Sequence, residues 1–526
     1  MKVLVSDKLE DVGVEILRKA PGITVDVKTG LKPDELKAII GEYHGLVIRS
    51  ATKVTADLLE AATNLKVVGR AGTGLDNVDI PAATRRGVVV MNTPGGNTVT
   101  TAEHAISLML SLSRNIPQGT STMKAGKWEK KTLQGREIFN KVLGVAGFGN
   151  IGKIVADRGR GLKMQVIVYD PFIAADVIEK AGFTPVTLDE LIAKSDYITV
   201  HVPKLKDTIG MLNAAAFEKM KKGVFIINAA RGGIVNEKDL EEAIKSGKVA
   251  GAALDVFETE PPGDHPLLKY DCVICTPHLG ASTAEAQTNV AVAVAEQFVD
   301  YLVHGTIRNA VNAPSVAGEL LAKLSPFLTL ADRMGCLHAQ LAKGPVREVT
   351  VEYTGDFAGL DLAPVTTAAL KGLLTPAMKD DVNFVNATFM AKDRGIRVSE
   401  SRNAESGDFT QAITMTASGD GFCNTITGAI FGKAAPRIVG INDFRLEMQP
   451  SGHVLLIHNE DKPGAIGAIA GLLGGKGINI ARMQVGQDKA GERNVIMLDT
   501  DTPVPADVVD GLRALSMVKS VTQVEL

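Results

Sequence analysis

Cysteine is scarce: four in 526 residues, at Cys272, Cys275, Cys336 and Cys423. So few cannot build a disulfide framework in a chain of this size. The Cys272-x-x-Cys275 pair lies in an expected buried strand with no second Cys or His pair nearby, so it reads as core packing and no metal site is expected. Net charge is scarce as well. Lys+Arg (57) and Asp+Glu (60) nearly cancel to −3, which gives no bulk attraction to nucleic acid or to an anionic membrane. No apolar run approaches the ~20 residues that a bilayer span requires, and the chain enters a strand-like Lys2–Val3–Leu4–Val5 with no signal architecture. A cytoplasmic globular protein is therefore expected. The composition, 45% apolar and 22% charged, is ordinary for one, and the length calls for roughly three or four domains.

What the chain has is a glycine pattern. The apolar run Val142–Leu143–Gly144–Val145–Ala146 leads into Gly147-x-Gly149-x-x-Gly152, and after a helix-length interval comes Val166–Ile167–Val168–Tyr169–Asp170. The order strand, glycine turn, helix, strand is that of a dinucleotide-binding unit. Its glycines permit a tight turn, close backbone approach to a pyrophosphate and close helix packing, and the phosphates sit on unpaired N–H groups at the helix start. Asp170 follows Gly152 by 18 residues, near the spacing for a carboxylate that holds the adenosine ribose. A carboxylate there repels a 2′-phosphate, so NAD is expected over NADP.

The rest of the chain organises around that unit. Residues 1–98 alternate strand-like and helix-like segments, an open α/β sheet of their own. A long helix from Thr101 to Leu112 leads into the nucleotide unit, whose further strands are expected at Tyr197–Val200, Val224–Asn228, Gly251–Leu254 and Val273–Cys275. A second long helix, about Ala284 to Val303, is expected to return to the first domain, making that domain discontinuous and setting a shared cleft between the two. Gly305–Val316 reads as a boundary. Residues 317–450 carry a helical stretch at Leu320–Gln340 and strands at Glu348–Tyr353, Ile413–Ala417 and Ile438–Ile441, with Lys433, Arg437 and Arg445 as a candidate anion site or solvated surface charge. The last 75 or so residues follow the order βαββαβ, a ferredoxin-like sandwich.

Three side chains fall on loops at the carboxyl ends of expected strands, where open α/β sheets present ligands. Arg231 follows Phe225–Ile226–Ile227–Asn228–Ala229–Ala230, and its guanidinium suits bidentate grip of a substrate carboxylate. His278, in Thr276–Pro277–His278–Leu279–Gly280, suits reversible proton transfer. Glu260, in Phe257–Glu258–Thr259–Glu260–Pro261, suits holding that imidazole in one tautomer and stabilising its protonated form.

The glycine fingerprint, Ala229–Ala230–Arg231–Gly232–Gly233, Ala253–Leu254–Asp255–Val256–Phe257 and Pro277–His278–Leu279–Gly280–Ala281–Ser282–Thr283 together resemble the D-isomer-specific 2-hydroxyacid dehydrogenases. Within that family Arg70–Ala71–Gly72–Thr73–Gly74–Leu75–Asp76–Asn77–Val78–Asp79 is similar to the branch that oxidises (2R)-3-phosphoglycerate to 3-phosphooxypyruvate, the opening step of the phosphorylated route to L-serine, with 2-oxoglutarate reduction as a side activity. The resemblance implies a Rossmann-type NAD domain (99–282) inserted in a flavodoxin-like substrate domain (1–98 and 283–312). An α+β intervening, allosteric substrate-binding domain (313–450) and a ferredoxin-like ACT domain (451–526) follow.

It implies His278 as general acid/base, Glu260 as its partner and Arg231 as the carboxylate clamp. Gly147, Gly149, Asn150, Ile151 and Gly152 would meet the pyrophosphate and Asp170 the ribose. Ala229, Ala230, Arg231, Asp255, His278, Leu279, Gly280 and Ala281 would line the nicotinamide side. Arg49, Arg70, Gly72, Thr73 and Asn97 would hold the substrate and its phosphate, joined by Lys130, which stands where relatives commonly carry Arg and so lacks the bidentate fork. Asn459, Asp461 and Asn479 would bind an amino-acid effector, L-serine, in a homotetramer. Two alternatives stay open: a dehydrogenase for another D-2-hydroxy acid, and a non-enzymatic NAD-sensing regulator, which would need no proton relay.

Overall fold

A computed structural model describes residues 1–314, 319–405, 407–488 and 493–526, so Ser315 and Val316 of the expected boundary lie outside the described residues. The chain divides into two compact units. One comprises Leu9–Gly13 and Thr93–Ala293; the other comprises Met1–Lys8, Val14–Asn92 and Val294–Leu526. Among the described residues no helix is long and apolar enough to cross a membrane.

The first of these units is a seven-stranded parallel sheet in the spatial order Val273–Cys275, Val249–Leu254, Val224–Asn228, Tyr197–Val200, Val142–Ala146, Gln165–Tyr169 and Thr184–Pro185. Its central strands are apolar on both faces because helices cover both, and all four residues of Tyr197–Val200 are buried. From Val142–Ala146 the chain builds outward in one direction, then returns and builds in the other from Tyr197–Val200. That switch point opens a crevice at the carboxyl ends of the two strands, where doubly wound sheets bind ligands. The helices Asn150–Gly161 and Thr98–Ser113 pack against one face through Val155, Ala156, Ala105, Leu108 and Met109.

The other unit begins with a five-stranded parallel sheet ordered Thr24–Val27, Lys2–Val5, Gly45–Ile48, Val67–Arg70 and Val89–Asn92, the flavodoxin-like order. The second half of the helix Ala284–His304, from Val294 onward, clusters with this unit and carries the fully buried Phe298. The intervening region is a six-stranded sheet: Arg397–Asn403 lies parallel to Val346–Gly355, and then Gln411–Gly419, Phe422–Phe431, Ala435–Ile441 and Phe444–Met448 continue antiparallel. The helices Glu319–Leu341 and Ala363–Met378 cover it. Its strands Arg397–Asn403, Phe422–Phe431 and Phe444–Met448 go unanticipated in the sequence, the first because every residue in it is exposed and no hydrophobic period marks it.

The C-terminal region folds as strand–helix–strand–strand–helix–strand, its antiparallel sheet ordered Ile480–Gln487, Arg493–Thr500, His453–Glu460 and Val518–Glu525. Residues alternate between its faces. Leu455, Ile457, Ile496 and Leu498 meet its own helices, whereas Val454, Leu456, Met497 and Val524 join the core of the intervening region.

Candidate active site

The glycine turn is shaped by close approach. Gly147 has φ +99°, a left-handed conformation that favours glycine, and a Cβ there would stand 2.6 Å from the carbonyl oxygen of His201. A Cβ on Gly152 would stand 1.9 Å from the carbonyl oxygen of Gly147, so the helix can begin this close to the turn only with glycine. Gly149 caps the helix Asn150–Gly161 and has no side chain to satisfy the N–H groups of the first turn, which face outward as an anion cradle. Asp170 closes the unit from the next strand. Its Oδ2 accepts the Phe148 N–H at 2.8 Å and its Oδ1 the Phe172 N–H at 2.9 Å, which aims the carboxylate beside the turn and leaves lone pairs for ribose hydroxyls. The cradle, the tight turn and the carboxylate fit NAD.

The loops after three adjacent strands lie side by side, because Asn228, Leu254 and Cys275 are in register. Asn228, buried at a strand end, shapes the loop that carries Arg231: its Oδ1 accepts the Ala230 N–H at 3.1 Å and its Nδ2 donates to the Arg231 carbonyl at 2.9 Å. Gly232 lets this loop touch the next, for a Cβ would fall 1.8 Å from the Phe257 carbonyl oxygen. Arg231 donates through Nη1 to the Ala230 carbonyl at 2.7 Å. On the third loop His278 adopts φ +55°, and its Nδ1 lies 2.7 Å from Glu260 Oε2. Glu260 Oε1 accepts the Phe257 N–H at 3.1 Å. Burial pushes the Glu260 carboxyl up, but the His278 contact and the Phe257 N–H outweigh it and hold it below the usual carboxylate range. An ionised Glu260 fixes the His278 proton on Nδ1, which makes Nε2 the ring nitrogen able to accept a proton.

Asp255 is 1% exposed, and it buttresses this loop. Its Oδ1 accepts from the Leu279 N–H (2.7 Å) and the Thr276 hydroxyl (2.6 Å), its Oδ2 from the Gly280 N–H (2.8 Å). His104 Nε2 stands 3.1 Å from the same Oδ1, and Thr101 Oγ1 donates to the Gly280 carbonyl at 2.9 Å. Burial pushes the Asp255 carboxyl up, and its bonds from His104, Thr276 and Leu279 overcome that and hold it low. Sequence reasoning passed over His104 and Thr101; the only signal was their i, i+3 spacing on the helix ahead of the nucleotide unit.

In the other unit, Arg49, Arg70, Gly72 and Thr73 gather at the carboxyl ends of two neighbouring strands. Asp7 Oδ2 accepts the Arg49 N–H at 2.6 Å, Arg70 Nε donates to the Arg49 carbonyl at 3.3 Å, and Asn92 Nδ2 donates to the Thr73 carbonyl at 2.6 Å. Asn97 precedes the helix Thr98–Ser113, and Lys130 is exposed on the loop after the helix Ile116–Lys124.

Comparison with known proteins decides the family. Residues 106–280 match the family described as D-isomer specific 2-hydroxyacid dehydrogenase, NAD binding domain; residues 323–442 match the D-3-phosphoglycerate dehydrogenase intervening domain, and 453–516 the ACT domain. The chain is 45% identical to a D-3-phosphoglycerate dehydrogenase of Archaeoglobus fulgidus, over 100% of both chains, and 43% identical to one of Synechocystis sp. over 100% of this chain and 95% of that one. The chain belongs to the D-3-phosphoglycerate dehydrogenase family. Among solved structures it is similar to a D-lactate dehydrogenase of Aquifex aeolicus complexed with NAD and lactic acid (27% identity, TM-score 0.53, 60% of this chain and 100% of that one). It is also similar to a glyoxylate reductase of Paecilomyes thermophila (28%, 0.55, 59% and 98%). As a D-3-phosphoglycerate dehydrogenase family member it is an NAD-dependent oxidoreductase.

The ACT region separates the three expected effector residues. Asn459 and Asp461 sit at one end of the sheet, where Gln487 Nε2 donates to Asp461 Oδ2 at 3.2 Å; Asn459 Nδ2 donates to the Glu460 carbonyl, and its Oδ1 is buried with no hydrogen-bond partner among the described residues. Asn479 precedes the strand whose Ile480 pairs Thr500, and donates to Asp501 at 2.8 Å. Asn459 pairs Asn494, six residues back along the shared strand, so the two ends stand ~20 Å apart. In the intervening region Arg437 and Arg445 face carboxylates, Glu447 at 3.4 Å and Asp408 at 3.1 Å, and Lys433 lines, together with that Asp408, a cavity of about 900 Å³. Cys275 is a packing residue, its thiol pushed up to about 11 by burial.

Proposed function

We propose that the chain oxidises (2R)-3-phosphoglycerate to 3-phosphooxypyruvate with NAD, opening the phosphorylated route to L-serine, and reduces 2-oxoglutarate as a side activity. The observation that carries the reading is the His278 Nδ1–Glu260 Oε2 contact of 2.7 Å on a loop buttressed by Asp255, beside the loop of Arg231. Arg231 grips the substrate carboxylate bidentately and orients C2. His278 Nε2 takes the C2 hydroxyl proton, and Glu260 stabilises the imidazolium that results. Bound NAD supplies the hydride acceptor. Arg49 and Arg70, joined by Gly72, Thr73, Asn97 and Lys130, hold the phosphate end. A pure NAD sensor has no use for the proton relay.

In this reading residues 1–98 with 283–312 serve the substrate, 99–282 the cofactor, 313–450 the intervening function and 451–526 the effector, in a cytoplasmic enzyme. L-serine is the effector, its ammonium on Asp461 and its polar groups on the Asn amides. Because Asn479 stands at the far end of the sheet, a pocket of all three residues takes Asn479 from a second copy, in keeping with a homotetramer. The test is NADH oxidation with 3-phosphooxypyruvate beside 2-oxoglutarate and pyruvate, with and without serine. The reading expects the highest kcat/KM with 3-phosphooxypyruvate and inhibition by serine. Preference for an unphosphorylated 2-oxo acid overturns the substrate, and turnover indifferent to serine overturns the effector.

A further inference from the structure

The helix Thr98–Ser113 presents Thr101 and His104, one turn apart, to the catalytic loop from behind. Thr101 Oγ1 holds the Gly280 carbonyl at 2.9 Å. His104 Nε2 lies 3.1 Å from Asp255 Oδ1 and 3.1 Å from Thr276 Oγ1. An ionised carboxylate only accepts, so Nε2 carries the proton and donates. Asp255 in turn receives the Leu279 and Gly280 N–H groups, the two residues that follow His278. A buried carboxylate needs this many donors to stay ionised, and losing one leaves part of the charge of the nearly fully buried Asp255 without its donor. The chain of contacts therefore runs from His104 through Asp255 to the backbone that sets His278 in its left-handed conformation.

We infer that His104 is a positioning residue for the proton-transfer step. Its Nε2–H donation keeps Asp255 charged and aimed, and Asp255 holds the loop so that His278 meets Glu260 at one end and substrate at the other. His104 touches neither substrate nor cofactor in this role. The inference rests on the reading of His278 as the acid/base.

The test compares His104→Gln with His104→Asn in the full chain. A glutamine amide N–H reaches the place of Nε2; an asparagine amide reaches only the place of Nδ1. His104→Gln is expected to keep kcat close to wild type. His104→Asn should lose about 10²-fold in kcat, the scale of a misplacement of ~1 Å at a reacting group, with NADH affinity unchanged. Equal kcat in the two variants, both near wild type, overturns the inference. So does an equal fall in both that is matched by weaker NADH binding and a lower melting temperature, since that marks a residue needed only for the fold. His278→Asn runs beside them: its inactivity with equal His104 variants sinks this inference alone, whereas its retained turnover removes the acid/base assignment and this inference with it.

Discussion

Replacing Gly152 with Ala tests the cofactor cradle with a single methyl group. The position has ordinary helical backbone, so the exchange alone gains up to ~1 kcal/mol of helix propensity. Against that gain, the new Cβ would stand 1.9 Å from the carbonyl oxygen of Gly147, both on rigid backbone. Heavy atoms rest at roughly 3.5 Å, so the turn and the first turn of the helix must part by about 1.5 Å. A hydrogen bond tolerates only about 0.5 Å, so at least one N–H donated to the pyrophosphate is lost. A hydrogen bond to a charged group contributes about 1.5–3 kcal/mol, which converts to NADH binding weakened roughly 10- to 150-fold. Gly161→Ala, near the other end of the same helix, is the control: nothing lies within 4 Å of its Cβ, and it should bind NADH normally and melt no lower than wild type. Fluorescence titration with NADH and thermal melts of the two variants read the difference. Wild-type NADH affinity in Gly152→Ala, with a melt matching Gly161→Ala, would refute the crowding argument.

Asp170→Ala should narrow the preference for NADH over NADPH, because it removes a ribose acceptor and the repulsion of a 2′-phosphate, while loosening the turn that Phe148 anchors; an unaltered ratio of kcat/KM values means Asp170 does not face the ribose. Asp461→Ala should weaken serine binding about tenfold or more by calorimetry, the loss of a charged hydrogen bond, with basal turnover intact; wild-type serine affinity removes Asp461 from the pocket. Asp255 has its carboxyl held low in the folded state, so the stability it contributes is complete above the ordinary carboxylate value near ~4 and is lost as pH falls through the lower folded value. Wild type should therefore lose melting temperature on acidification below about pH 4, with a shallower fall in Asp255→Asn; parallel curves for the two would contradict the assignment.

The parts legible in the sequence were those whose meaning is local. The glycine turn, the apolar strands and the loops that end in Arg231 and His278 each declare themselves within a dozen residues, and the register of parallel strands then brings those loops together. What depends on distant pairing was not legible. The role of His104 appears only once Asp255, some 150 residues on, is seen to be buried and saturated with donors. Asn459 and Asn479 look like neighbours in sequence, yet the helix Ala465–Gly475 between their strands carries the chain back, so they stand at opposite ends of one sheet. The strand Arg397–Asn403 has polar residues on both faces, so it lacks the alternation that marks a half-buried strand.

The C-terminal sheet gives one face to its own helices and the other, through Val454, Leu456, Met497 and Val524, to the core of the preceding region. A regulatory segment built this way is not a detachable tail. Cutting the chain near residue 450 would strip cover from Phe444 and Met448 and leave an apolar surface of the kind that drives self-association. On the proposed effector reading, a form that escapes feedback calls for single substitutions in the loops around Asp461, with the whole length kept, and not for truncation.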